Sequence, residues 1–135
     1  MKLRVRSISR GRAEGYAIVS KKPVSFLGDV NPETGVIVDS DSDIYGESIA
    51  GKIFVFPEGR GSTVGTYILL RMKKNGCAPA GIVMKKSEAI VAVGAIIAEI
   101  PLVDMPEASS FNMIRSGDFV RINADEGWIE IERED

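Results

Sequence analysis

The run Glu58-Gly59-Arg60-Gly61-Ser62-Thr63 places a hydroxyl nucleophile, a permanent cation and two glycines side by side. Before it stands an apolar, β-favouring stretch, Ile53-Phe54-Val55-Phe56, ended by Pro57. After it, from Thr63 to Lys74, the pattern turns helical. A strand, a glycine-rich turn and a helix N-terminus in succession suit an anion: backbone N–H groups point outward and the helix dipole adds partial positive charge. Glycine at positions 59 and 61 lets the backbone approach a ligand closely. The guanidinium of Arg60 offers a two-pronged donor for carboxylate or phosphate. Arg60, Gly61 and Thr63 are therefore candidate substrate-binding residues, and Ser62 is the candidate reactive residue. Ser62 equally suits a plain helix N-cap, and the two roles overlap, because a serine at a helix start sits where an anion would bind.

Two familiar phosphate motifs do not fit. A P-loop needs GxxxxGK[ST], and no lysine adjoins Ser62. A dinucleotide fingerprint needs GxGxxG, whereas Gly59, Gly61 and Gly65 are spaced one residue too far, and Lys85-Lys86 stand about where a ribose-binding acid belongs.

The chain has no histidine and one cysteine, Cys77. Histidine-based acid–base chemistry and Ser-His-Asp triads are excluded, as is a disulfide within the chain. Zinc and iron–sulfur sites typically need three or four Cys or His ligands, so no metal site is expected in this chain. Asp39, Asp41 and Asp43 alternate with serines, but Ile44 and Ala50 occupy the places of the glycine and glutamate of a calcium loop, so a polar loop is expected there. Cys77 reads as a small packing residue. Gly28-Asp29 opens a turn-rich loop ending at Gly35, which reads as a structural turn or as a loop facing a partner or substrate, and Asp104 follows a short apolar strand, where it reads as either ligand-facing or an exposed loop acid.

Around these residues the pattern gives strands at Val5–Ser9 and Gly15–Ser20, forming an early hairpin about Arg10-Gly11, and a short buried strand at Val36–Val38. Further strands fall at Ile53–Phe56, Gly81–Met84 and Leu102–Val103, and a late hairpin joins Phe119–Asn123 to Trp128–Glu132. The helix after Ser62 is expected to turn Val64, Tyr67, Ile68 and Met72 to one face, and Ala89–Ala98 to form a short buried helix. The βαβ stretch from Ile53 to Met84 implies a parallel pair with a right-handed crossover. A mixed α/β fold in a single domain over residues 1–135 follows.

Composition agrees with a globular protein: 44% hydrophobic and 27% charged residues. A net charge of -2 gives no reason to expect nucleic acid or an anionic membrane surface as partner. No apolar run approaches the ~20 residues of a membrane span. The first residues, Met1-Lys2-Leu3-Arg4-Val5-Arg6, lack the apolar core of a signal peptide, so a cytoplasmic location is expected.

The segment Phe56-Pro57-Glu58-Gly59-Arg60-Gly61-Ser62-Thr63-Val64-Gly65-Thr66-Tyr67 resembles the signature of small subunits of the aconitase X family. Residues 28–35 (GDVNPETG), 45–52 (YGESIAGK) and 94–104 (GAIIAEIPLVD) are similar to that family too, in the same order. A separate, short subunit resembles the archaeal form. The resemblance implies the swivelling β/β/α fold of the mobile aconitase domain. It also implies a large partner subunit, a heterodimer, and a 4Fe-4S cluster held by that partner. The implied reaction removes water from phosphomevalonate, a phosphorylated hydroxy acid, on a modified mevalonate route to isoprenoids, with Ser62 as proton acceptor. Two alternatives remain at this point: a hydroxyproline-type dehydratase of the same family, and a non-enzymatic anion-binding module.

Overall fold

Strand β3 (Arg12–Val19) crosses from one layer of the molecule to another. In the computed structural model, which describes residues 1–133, its first half pairs antiparallel with β7 (Phe119–Asn123), from Arg12↔Asn123 to Tyr16↔Phe119. Its last three residues pair parallel with β4 (Ile53–Phe56), from Ala17↔Ile53 to Val19↔Val55. Gly15 sits at the changeover, where a Cβ would approach the Gly51 carbonyl oxygen to 3.2 Å. Of the expected domain 1–135, Glu134 and Asp135 lie outside the described residues.

From β4 the parallel layer continues to β5 (Gly81–Met84) and β6 (Leu102–Asp104), and β2 (Arg6–Ser9) closes it antiparallel. On the other side of β3, β7 pairs with β8 (Trp128–Glu132), and β8 with β1 (Lys2–Arg4). The full order is β1-β8-β7-β3-β4-β5-β6-β2. Helices α2 (Val64–Lys74) and α3 (Ala89–Ile97) are the crossovers of the parallel strands. The short turns α1 (Phe26–Asp29) and α4 (Ala108–Phe111) complete the described elements.

Side-chain alternation explains the layering. On β4, β5 and β6, Phe54, Phe56, Ile82, Met84 and Leu102 meet Leu69, Met72, Val91 and Ala95 of the helices. Their neighbours Ile53, Val55, Val83 and Val103 meet Val120, Ile122, Ile129 and Ile131 of the antiparallel strands. Strands covered on both faces read as continuous apolar runs, which is how β4 and β5 look in the sequence. Each such side chain, fully buried, contributes about 1.5–3 kcal/mol. The result is β on β on α, as expected of a swivelling domain.

The β4–α2–β5 unit and the late hairpin match expectation. The early hairpin does not form: β2 pairs with β6 and β3 with β4 and β7, so the two neighbours in sequence lie far apart in the strand order. Helix α2 buries Gly65, Leu69 and Met72 and leaves Val64 and Tyr67 exposed. The small residues let α2 and α3 approach closely: a Cβ on Gly94 would stand 3.3 Å from both Leu69 Cδ2 and the Thr66 carbonyl oxygen. Helix α3 forms as expected but buries one side only, with Val93, Ile96 and Ile97 exposed. Residues 36–38 make isolated bridges, Val30↔Ile37 and Val36↔Ser48, rather than a strand.

Candidate functional site

At the carboxyl end of β4 the buried Phe56 gives way to Pro57, whose carbonyl oxygen accepts the N–H groups of Lys85 (3.1 Å) and Lys86 (3.0 Å). The exits of β4 and β5 are thereby tied together. The chain then turns toward the segment after β3. The Val24 N–H donates to the Glu58 carbonyl (3.0 Å), and the Arg60 N–H donates to the Val24 carbonyl (3.0 Å).

Both glycines of the turn have a steric reason. A Cβ on Gly59 would come within 2.5 Å of Glu88 Oε1. Glu88 cannot easily move, because its carboxylate caps α3 by accepting the N–H groups of Ile90 (2.8 Å) and Val91 (2.9 Å). Gly61 has φ 106°, and a Cβ there would meet Ser25 Oγ at 2.6 Å.

The turn delivers Gly61, Ser62 and Thr63 to the surface, all exposed. Thr63, not Ser62, is the N-cap residue of α2, and it makes no side-chain cap bond. Ser62 serves the helix through its backbone alone, its carbonyl accepting the Gly65 N–H (3.0 Å). Its hydroxyl therefore stands in the open at a positive helix end. Because β3, β4 and β5 run parallel here, Lys21, Lys22, Arg60, Lys85 and Lys86 all leave the sheet on the same edge as Ser62. Charge of that sign favours a bound anion.

Of the candidate residues, the structure brings Arg60, Gly61, Ser62 and Thr63 together on one loop. It adds Ser25, to which the sequence reading gave no role, and Asp29, whose loop reads from sequence as a structural turn or as one facing a partner or substrate. Asp29 Oδ2 lies 3.6 Å from Arg60 Nη2, and Ser25 lies against Gly61. The only sequence signal for them was the turn-forming Gly28-Asp29.

Asp104 is neither ligand-facing nor an exposed acid. It is fully buried, and its carboxylate accepts Arg6 Nε (2.8 Å), Arg6 Nη2 (2.7 Å), the Ser87 hydroxyl (2.8 Å) and the Ser87 N–H (3.2 Å). Burial is the strongest single influence and would raise its pKa. The bonds from Arg6 and Ser87 together outweigh it and hold the carboxyl below the usual range. A carboxyl lowered in the folded state adds stability above the unfolded pKa, about 3.9, and loses it as pH falls through the folded value. The gap in urea midpoint between wild type and Asp104→Asn is therefore expected to be full above about pH 4 and to shrink below it. A gap that widens on acidification would contradict this linkage.

Asp43 accepts the Lys21 N–H (3.0 Å), and Asp39 accepts the Asp41 N–H (3.0 Å), so these acids organise a loop, as expected. Among the described residues no three His, Cys, Asp or Glu side chains converge as metal ligands. Cys77 is buried, its thiol pKa pushed up by that burial, and its Sγ lies 3.1 Å from the Pro32 carbonyl oxygen. Among the described residues no helix is long and apolar enough to cross a membrane.

Comparison with known proteins agrees with the sequence resemblance. The family model described as the aconitase X swivel domain matches residues 2–131. A Thermococcus gammatolerans protein named phosphomevalonate dehydratase small subunit is 56% identical over 97% of this chain and 98% of its own. Its namesake from Archaeoglobus fulgidus is 55% identical, over 97% and 98%. The crystal structure of Thermococcus kodakaraensis aconitase X in its holo form superposes with a TM-score of 0.92 at 53% identity, covering 98% of this chain and 99% of that one. With the layered sheet, the exposed Ser62 loop and these full-length matches in hand, the chain belongs to the aconitase X swivel-domain family.

Proposed function

We propose that this single domain is the small subunit of a cytoplasmic hydro-lyase that dehydrates (R)-5-phosphomevalonate to trans-anhydromevalonate 5-phosphate. The observation that carries the reading is the full-length similarity to proteins named phosphomevalonate dehydratase small subunit. A large subunit completes the enzyme as a heterodimer.

Losing water from a β-hydroxy acid breaks a C–H bond α to the carboxylate and a C–O bond at the next carbon. The C–H electron pair becomes the new double bond, the proton goes to a base, and hydroxide leaves. Ser62 is the base in this proposal, as its alkoxide. A hydroxyl holds its proton far above neutral pH in water, so strong positive surroundings are required. The open N–H groups at the start of α2, its dipole and Arg60 supply them, and they also stabilise the negative charge that builds on the substrate carboxylate. Arg60, Gly61 and Thr63 bind and orient the anion. An exposed loop cannot exclude water by itself, which fits a site finished by a second subunit.

The chain's donors do not fit an iron–sulfur cluster: there is no histidine, and its single cysteine is buried. The proposal assigns the 4Fe-4S cluster to the large subunit.

The test is co-expression with the large subunit under anaerobic conditions, followed by assays on phosphomevalonate and on hydroxyproline. Turnover of phosphomevalonate by the pair, and by neither subunit alone, is expected. Turnover of hydroxyproline alone would replace the substrate. An inactive pair loaded with its cluster would overturn the dehydratase reading.

A further inference from the structure

We infer that Asp29 is a positioning residue of this site and acts through Arg60. The inference rests on the proposed substrate-binding role of Arg60.

Asp29 is fixed at three points. Its N–H donates to the Ser25 carbonyl (3.1 Å), its carbonyl accepts the Val38 N–H (2.9 Å), and its Oδ2 accepts the Ser25 N–H (2.8 Å). The preceding Gly28, at φ 99°, turns the chain back so that this carboxylate meets the Ser25 amide. The Asp29 side chain is only 16% exposed, whereas that of Arg60 is 59% exposed. A rigid carboxylate thus faces a long, solvated side chain whose backbone is itself pinned to Val24. Left alone, such an arginine samples many rotamers and must be ordered when it binds an anion. Asp29 supplies the orientation in advance.

The distance has a chemical meaning. At 3.6 Å the Arg60–Asp29 contact is an ion pair without a direct hydrogen bond. The donors of the guanidinium therefore stay free for substrate. The same Oδ2 joins two loops, since it holds both Ser25 and Arg60, and Ser25 in turn backs Gly61 beside the reactive serine.

The test uses the assembled two-subunit enzyme with phosphomevalonate. Asp29→Asn keeps an oxygen for the Ser25 N–H and removes only the charge facing Arg60. It is expected to raise KM roughly 10-fold, the scale of outer partners that orient a functional group, with kcat within about 2-fold. A merely structural role would instead lower kcat with the active fraction and lower the melting temperature. In an Arg60→Gln background, Asp29→Asn is expected to have no further effect, because the contact is already gone. Asp29→Glu, which keeps the charge, is expected to give a KM between wild type and Asp29→Asn.

A wild-type KM for Asp29→Asn beside an impaired Arg60→Gln overturns the positioning role and leaves Arg60 as a binding residue. So does a loss from Asp29→Asn of the same size in both backgrounds, or a KM for Asp29→Glu as high as for Asp29→Asn. A wild-type Arg60→Gln removes the role of Arg60, and that of Asp29 with it.

Discussion

Ser62→Ala, assembled with the large subunit, is expected to lose at least ~10²-fold in kcat, the loss that follows removal of a catalytic base. Its melting temperature is expected to stay at that of wild type. The two expectations separate because of what the structure shows around this residue. Ser62 is exposed, the N-cap position belongs to Thr63, and no side-chain bond caps α2. A serine acting as cap would cost about 1 kcal/mol of stability when truncated. Kinetics and melting of the same purified pair therefore decide between the two roles that the sequence left open. Near-normal turnover would move the base to the large subunit. A drop in melting temperature with little change in kcat would return Ser62 to a helix-capping role.

Phe56→Ala is expected to have the largest effect on stability, about 3–5 kcal/mol, and to lower the melting temperature by something on the order of 10–20 °C. The ring is fully buried. It packs against Phe54, with centroids 4.6 Å apart, and edge-on against Phe26 at 6.0 Å. Phe26 and Phe54 complete the cluster at 6.2 Å. Deleting one ring leaves a cavity that two rigid neighbours cannot fill. The cluster also roots the site, because the Ser62 loop leaves from Phe56 and the Asp29 turn begins at Phe26. Loss of activity is therefore expected alongside loss of stability. Chemical denaturation measures the first expectation. A cost under about 1 kcal/mol would mean the cluster repacks, as volume-conserving core changes can.

What the sequence disclosed follows from how local the signal was. The strand at Ile53–Phe56, the glycine turn and the helix behind it are contiguous, and each carries its own pattern, so the unit that holds Ser62 was legible. The late hairpin was legible for the same reason, its strands meeting at Asn123↔Trp128 around a short turn. Strand partners were not local. Nothing in Val5–Ser9 says that Arg6 will face Asp104 rather than pair back toward β3. For the same reason Asp104 could be read only as exposed or ligand-facing, since its partner lies 98 residues away. The face of α2 was read correctly at Ile68 and Met72, which pack on the core, and misread at Val64 and Tyr67, which stand in solvent, because its contact with α3 runs through glycines that an apolar count passes over. At the site, the motif named the loop residues but not Ser25 or Asp29, which reach it through a separate turn.

Strands β1 and β2 are separated by Val5 alone, yet they occupy opposite ends of the strand order. Leu3 sits opposite Ile129 and Arg6 opposite Asp104, so these few residues act as a clasp across the whole sheet. During synthesis the clasp emerges from the ribosome well before its partners β6 and β8. The sheet cannot shut until β8 has followed, and until then β1 lacks the neighbour that protects its edge, as β2 does until β6 appears. Such distant pairing slows closure, because the loop entropy must be met before any contact repays it. The nascent chain therefore depends most on chaperone protection in the interval between the emergence of the clasp and that of β8.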